Sequence, residues 1–336
     1  MILLKSRSLN LNGLIEERFQ LPNTDNKKLD ILVVADTSGS MYHHLNHLGQ
    51  SLSYLLSVIS KYDWQIGITS AAHGDHGDPN TLQENWRDRI VTQNSGRFGG
   101  LMQLENGKNL LNNTILTPQT PAYEEIFFQS LSHQDEINCN RPPFCSNYLE
   151  QPLRSLQSFI KRYVLDNKDF FRPQADFVSL IITNEDERKE DSERATSAED
   201  VLNSFSQYFS QDDKRFIAYN IIVTNEECLK SELEKGNTAQ IASAIARLAD
   251  LTKGTNISLC SQSYSSELKK ISQDIKKQLE NKIRLKKEPL PESVNIEFIK
   301  GPELGWELSG KDIIFENKSG FSSTIKVTYE EKKSFS

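Results

Sequence analysis

Leu29-Asp-Ile-Leu-Val-Val-Ala35, followed at once by Asp36-Thr37-Ser38-Gly39-Ser40-Met41, decides how this chain is read. The first stretch is short and almost wholly apolar, as a central parallel strand is. It stops at a polar loop that presents one carboxylate and two hydroxyls, with Gly39 to let the backbone turn closely. Leu45, Leu48, Leu52, Leu55, Leu56 and Ile59 then recur at helical spacing. Strand, loop and helix in that order put Asp36, Ser38 and Ser40 at the carboxyl edge of a sheet. Three hard oxygen donors suit Mg²⁺, or Mn²⁺ or Ca²⁺ in its place. The plainer reading of the same residues is a serine-rich helix cap served by Asp36.

Working outward, the alternation continues. Trp64–Ser70, Phe177–Thr183, Phe216–Thr224 and Ile257–Cys260 read as further strands. Helical faces recur near Tyr123–Leu131, from Leu149 to Tyr163, from Val201 to Phe209, from Ile241 to Leu251 and from Leu268 to Leu279. Ser197 and Asp200 stand where a capping box would open the third of these. Residues 71–148 are less regular, with a strand expected near Arg89–Thr92. The pattern predicts an α/β fold with a central, mostly parallel sheet and helices on both faces. Ligands of such sheets bind at the carboxyl ends of the strands.

Beyond about Ile283 the period changes to two. Val294, Ile296 and Phe298, then Ile325, Val327 and Tyr329, alternate with polar residues, as strands with one wet face do. The 336 residues therefore divide into an irregular lead-in (1–28), an α/β domain (29–282) and a small β unit (283–336). The basic run Lys282–Lys287 reads as the end of the last helix, where it complements the dipole.

Composition removes several function classes. A net charge of −7 argues against nucleic acid as a partner. No apolar run is long enough to span a bilayer. The GxSxG, GxxxxGK[ST] and GxGxxG patterns are absent, so neither a hydrolase elbow nor a nucleotide loop is indicated and the chain reads as a binding protein, not an enzyme. His43 and His47 share a helix face without the glutamate of HExxH, and the loop from His73 to Asp78 lacks the ligand order of an EF-hand. Both read as solvated polar segments. The four cysteines, Cys139, Cys145, Cys228 and Cys260, include no CxxC and read as disulfide candidates, with buried free thiols as the alternative. Disulfides would place the chain in an oxidising compartment.

Asp36-x-Ser38-x-Ser40 behind a buried strand resembles the metal-ion-dependent adhesion site (MIDAS) of von Willebrand factor A (vWA) domains. The order of elements from Leu29 to about Lys282 is similar to that family, and residues 247–275 with the C-terminal β segment resemble bacterial extracellular members. The resemblance implies a Rossmann-like vWA domain whose cation is completed by an acidic group of a partner. It implies two further ligand loops. In one, Cys145-Ser146-Asn147-Tyr148, Ser146 is favoured and Asn147 is second. In the other, after Thr183, the family's aspartate is replaced by Asn184, with Glu185 and Asp186 as the nearby carboxylates. The function implied is divalent-metal-dependent adhesion to a protein or glycan-bearing surface that presents a carboxylate. The expected setting is secreted, periplasmic or cell-surface, with an export signal or lipid anchor lying upstream of residue 1. The alternative is an intracellular vWA scaffold subunit working with an ATPase assembly.

Overall fold

A computed structural model describes residues 14–21, 28–36, 38–51, 53–60, 62–71, 101, 104–106, 109–110, 113–132, 150–165, 167–187, 195–210, 214–278, 281–315 and 322–332. The expected strand near residues 89–92, the loop from His73 to Asp78, and Cys139, Cys145, Ser146 and Asn147 lie outside the described residues.

In chain order the strands are β1 (Leu14–Leu21), β2 (Lys28–Ala35), β3 (Asp63–Ser70), β4 (Glu105–Asn106), β5 (Asn109–Leu110), β6 (Ile115–Leu116), β7 (Ala175–Ile182), β8 (Phe216–Ile222), β9 (Asn256–Ser258), β10 (Asn281–Arg284), β11 (Asn295–Lys300), β12 (Trp306–Ser309), β13 (Asp312–Phe315) and β14 (Ser323–Glu330). The helices are α1 (Tyr42–Ser51), α2 (Ser53–Ile59), α3 (Tyr123–Ser132), α4 (Pro152–Lys161), α5 (Ala198–Phe209), α6 (Glu226–Glu234), α7 (Ser243–Thr252) and α8 (Tyr264–Gln278). Two compact units divide the chain. One is Lys28–Asp274, and the other joins Met1–Lys27 to Ile275–Ser336.

The larger unit is built on a six-stranded sheet of order β6-β3-β2-β7-β8-β9, parallel throughout except for β6 at the edge. Helices flank it. Leu32 and Val34 of β2, Phe177 and Ile181 of β7 and Ala218 and Ile222 of β8 share one buried cluster with α4, α5 and α7, through Leu153, Phe159, Val201, Phe205, Ile245 and Leu248. The alternate residues Ile31, Val33, Leu180 and Tyr219 are buried too, and the Tyr219 hydroxyl donates to Asp274 on α8 at 2.7 Å. Burial on both faces explains why these strands read as continuous apolar runs. The expected capping box is present, with Ser197 and Asp200 exchanging hydrogen bonds at the start of α5. Among the described residues no helix is long and apolar enough to cross a membrane.

The smaller unit has two three-stranded antiparallel sheets, β1-β14-β11 and β10-β13-β12. Phe19, Leu21, Ile283, Phe315, Ile325, Val327 and Tyr329 lie in its core. Two readings change here. The N-terminal segment taken as an irregular lead-in contains β1, which pairs with β14 along its full length. The run Lys282–Lys287 does not end a helix: it begins in β10, because Ile283 and Leu285 alternate inward at a strand's period.

Candidate metal centre

β3 lies on one side of β2 and β7 on the other, so the order of connection reverses between β2 and β7. In open α/β sheets such a reversal marks the carboxyl-end edge where ligands ordinarily bind. The backbone there is tightly tied. Asp36 N–H donates to Ile182 C=O at 2.9 Å and Ala71 N–H to Ala35 C=O at 2.8 Å. The loops leaving β2 and β7 consequently meet, and Asp36, Ser38, Ser40, Thr183 and Asn184 meet with them.

The Asp36 side chain is buried, with 1% exposure. One carboxylate oxygen accepts the Ser38 N–H at 2.9 Å and the other accepts the Thr183 hydroxyl at 2.9 Å. Burial pushes its carboxyl above the ordinary range, and the negative charge of Glu185 adds to this. The Ser38 amide and hydroxyl and the Thr183 hydroxyl pull it back without restoring it. Among the described residues the groups acting on Asp36 are hydrogen-bond donors and another acid, and no cation.

The hydroxyl oxygens of Ser38 and Ser40 are 2.9 Å apart. The two hydroxyls are hydrogen-bonded to each other at that distance, which is also close to the about 3.0 Å between adjacent ligands of an octahedral Mg²⁺. The Asn184 amide donates to Ser40 Oγ at 3.1 Å and to the Thr238 carbonyl at 2.7 Å. The second contact fixes the orientation of the amide, since a carbonyl can only accept. Asn184 Oδ1 is buried and has no hydrogen-bond partner among the described residues. One carboxylate and two hydroxyls suit a small divalent cation, while the Asn184 amide turns its nitrogen, not its oxygen, toward Ser40. A hydroxyl turns its lone pair to a cation by rotating only its proton.

Other expected ligands are placed differently. Asp186 accepts the Ala244 and Ile245 amides at 3.1 and 3.3 Å and the Ser243 hydroxyl at 3.2 Å, and so caps α7, whose own N-cap residue, Ala242, cannot. Glu185 is buried, and its N–H donates to Thr183 Oγ1 at 3.0 Å. Glu187 was missed by the sequence reading. It is buried and accepts the Leu153 N–H at 2.8 Å, capping α4, where Gln151 gives no side-chain cap. Burial pushes its carboxyl up to about 8, while backbone N–H donors pull against the rise and Asp186 adds to it. The only hint in the sequence was an acid-rich loop after a strand.

His43 and His47 are exposed, as read, whereas His44 between them is tied to Glu232 and Tyr264. Cys228 and Cys260 form a disulfide. Among the described residues no group of three or more His, Cys, Asp and Glu side chains is arranged to hold a metal.

No family model matches the chain, and no curated protein does. Solved structures similar to it include the pilus adhesin SpaC from Lactobacillus rhamnosus GG in an open conformation. The TM-score is 0.37 and the identity 10%, over 96% of this chain and 41% of that one. Human COPII-coat protein Sec24c gives a TM-score of 0.39 and 9% identity over 96% of this chain and 42% of that one. Proximal thread matrix protein 1 of the mussel byssus gives 0.37 and 12% over 79% and 51%. The chain spans about half the length of these proteins or less, and similarity at this level assigns neither family nor activity.

Proposed function

We propose that the chain is a vWA-like binding protein that holds a divalent cation at Asp36, Ser38 and Ser40 and uses it to engage an acidic group on a partner. One observation carries this reading. Asp36 is a buried carboxylate at the switch point of a parallel sheet, with no cation to balance it among the described residues and two hydroxyls beside it at close to octahedral spacing. Buried charges are ordinarily paired or bind metals. Asn184 would supply an amide oxygen where the family has a carboxylate, once its amide turns from the Ser40 and Thr238 contacts, and Ser146 or Asn147 would complete the protein's share. A dication countered mainly by one carboxylate stays electron-poor and favours an anionic sixth ligand. The disulfide supports an oxidising, extracytoplasmic setting over the intracellular scaffold.

The test is adhesion of the full chain to immobilised extracellular proteins and glycans, with Mg²⁺ or with EDTA. Retention that EDTA abolishes, and that Asp36→Ala lacks, is expected. Retention indifferent to EDTA would reject the reading.

A further inference from the structure

The loop after β7 and the surface strap that joins α6 to α7 meet at one side chain, Asn184. Its amide nitrogen carries two protons and both are engaged, one with the Thr238 carbonyl at 2.7 Å and one with Ser40 Oγ at 3.1 Å. Its oxygen, Oδ1, is buried and has no hydrogen-bond partner among the described residues. An orphaned acceptor inside a protein is destabilising, so the amide is held this way round by what lies on its nitrogen side. The Thr238 carbonyl does the holding, since it can only accept.

This orientation opposes a cation. Asn184 offers Ser40 a proton and no lone pair, and an N–H dipole aimed at a ligand of the ion works against the ion's charge. A half-turn of the amide would exchange Nδ2 and Oδ1 and bring the orphaned oxygen to the metal loop. It would also set Oδ1 against the Thr238 carbonyl oxygen, where two acceptors repel. The turn therefore requires that the Thr238 carbonyl move away.

The strap is built to allow this. Thr238 lies on the surface, as do Lys235, Gly236 and Gln240. Ties stand on either side of it. Asn237 N–H donates to the Glu232 carbonyl at 3.2 Å and Asn237 Nδ2 to Glu232 Oε2 at 2.9 Å, while Gln240 N–H donates to the Asn184 carbonyl at 2.9 Å. Between these ties the Asn184 amide draws the Thr238 carbonyl toward the metal loop.

We propose that Asn184 is a latch: its amide either closes Ser40 and pins the Thr238 carbonyl, or turns its oxygen to a divalent cation at Asp36, Ser38 and Ser40 and frees the strap of residues 237–240. The strap is then the part of the rim that signals cation occupancy to a partner. This rests on the metal reading above, and the experiment separates the two.

Mg²⁺ is titrated into the intact oxidised chain, starting from metal-stripped protein, and followed by ¹⁵N–¹H spectra and amide hydrogen exchange. Before Mg²⁺ is added, the Asn184 side-chain NH₂ protons, assigned by their loss in Asn184→Ala, are expected to exchange slowly. Exchange as fast as that of a solvated amide overturns the proposal whatever happens with metal. At saturating Mg²⁺ these signals should shift, and the Gln240 backbone amide should exchange about fivefold faster, the worth of one hydrogen bond. In Asn184→Ala the Gln240 amide should exchange at that faster rate with or without Mg²⁺. Bound Mg²⁺ that leaves the Asn184 signals or the Gln240 exchange rate unchanged rejects the latch and leaves the metal site standing. No Mg²⁺ binding by the wild type rejects both.

Discussion

Strand β2 has one buried aspartate near its amino end and another just past its carboxyl end, and they are treated in opposite ways. Asp30, near the amino end, is wholly buried and enclosed by cations. Arg172 Nε donates to it at 2.8 Å and the Arg172 amide at 2.9 Å, and Lys214 Nζ stands 3.4 Å away while also donating to two backbone carbonyls. Burial still raises its carboxyl, though Arg172 and Lys214 oppose the rise. Asp36, at the carboxyl end, has comparable burial and only neutral donors. The amino end closes its electrostatics within the chain. The carboxyl end leaves a negative charge for something else to balance, at the edge where open α/β sheets bind ligands.

The largest expected effect tests the closed end. Asp30→Asn removes the carboxylate beside the buried Lys214, while Arg172 keeps Asp63 at 2.6 Å, and should cost about 3–5 kcal/mol of stability in urea unfolding. A loss below about 1 kcal/mol would mean that Asp30 is not the anion those cations need. The next tests a second carboxyl at the open end. Glu187 titrates near 8 in the folded chain against 4.5 for the free side chain. The folded state therefore binds more protons than the unfolded state between these values. Its contribution is complete below about 4.5 and is lost as pH rises toward 8, a few kcal/mol in all. Glu187→Gln should flatten that slope in denaturation measured across pH, and an unchanged slope would place the titration elsewhere.

A smaller effect concerns the departure at position 184. Asn184→Asp adds an anion beside the serines and should tighten Mg²⁺ binding about tenfold, since ligand charge sets affinity. Equal or weaker binding in calorimetry would show that the loop after β7 does not face the ion. The smallest effect sharpens the comparison by its sign. In metal-free buffer Asp36→Asn relieves an unbalanced buried charge and should raise stability by about 1 kcal/mol, opposite to Asp30→Asn. A loss of stability instead would align the two aspartates.

Much of the fold was legible because the central strands are buried on both faces. Leu29–Ala35, Trp64–Ser70 and Phe177–Thr183 could hardly be anything else once turn signals bounded them. β1 was not legible, because Glu17 occupies an inward position and breaks the apolar alternation of Phe19 and Leu21. Only the fold reveals that Glu17 accepts from the Tyr329 hydroxyl and the Lys286 amide, 312 and 269 residues away. Asp36, Ser38, Ser40 and Asn184 were found because a local pattern carries them. The capping roles of Asp186 and Glu187 were hidden, since the helices they serve lie far away in sequence, and the anchoring of the His44 ring depends on Glu232 and Tyr264, equally remote. Chemistry confined to one loop can be read from sequence, whereas chemistry assembled across the sheet edge cannot.

Calorimetric titration of the full oxidised chain with Mg²⁺ or Mn²⁺, alongside Asp36→Ala and Asp30→Asn, tests the central claim most directly. One cation should bind the wild type and folded Asp30→Asn alike, and none should bind Asp36→Ala at the same site. Undiminished binding by Asp36→Ala, or no binding by the wild type, would contradict it.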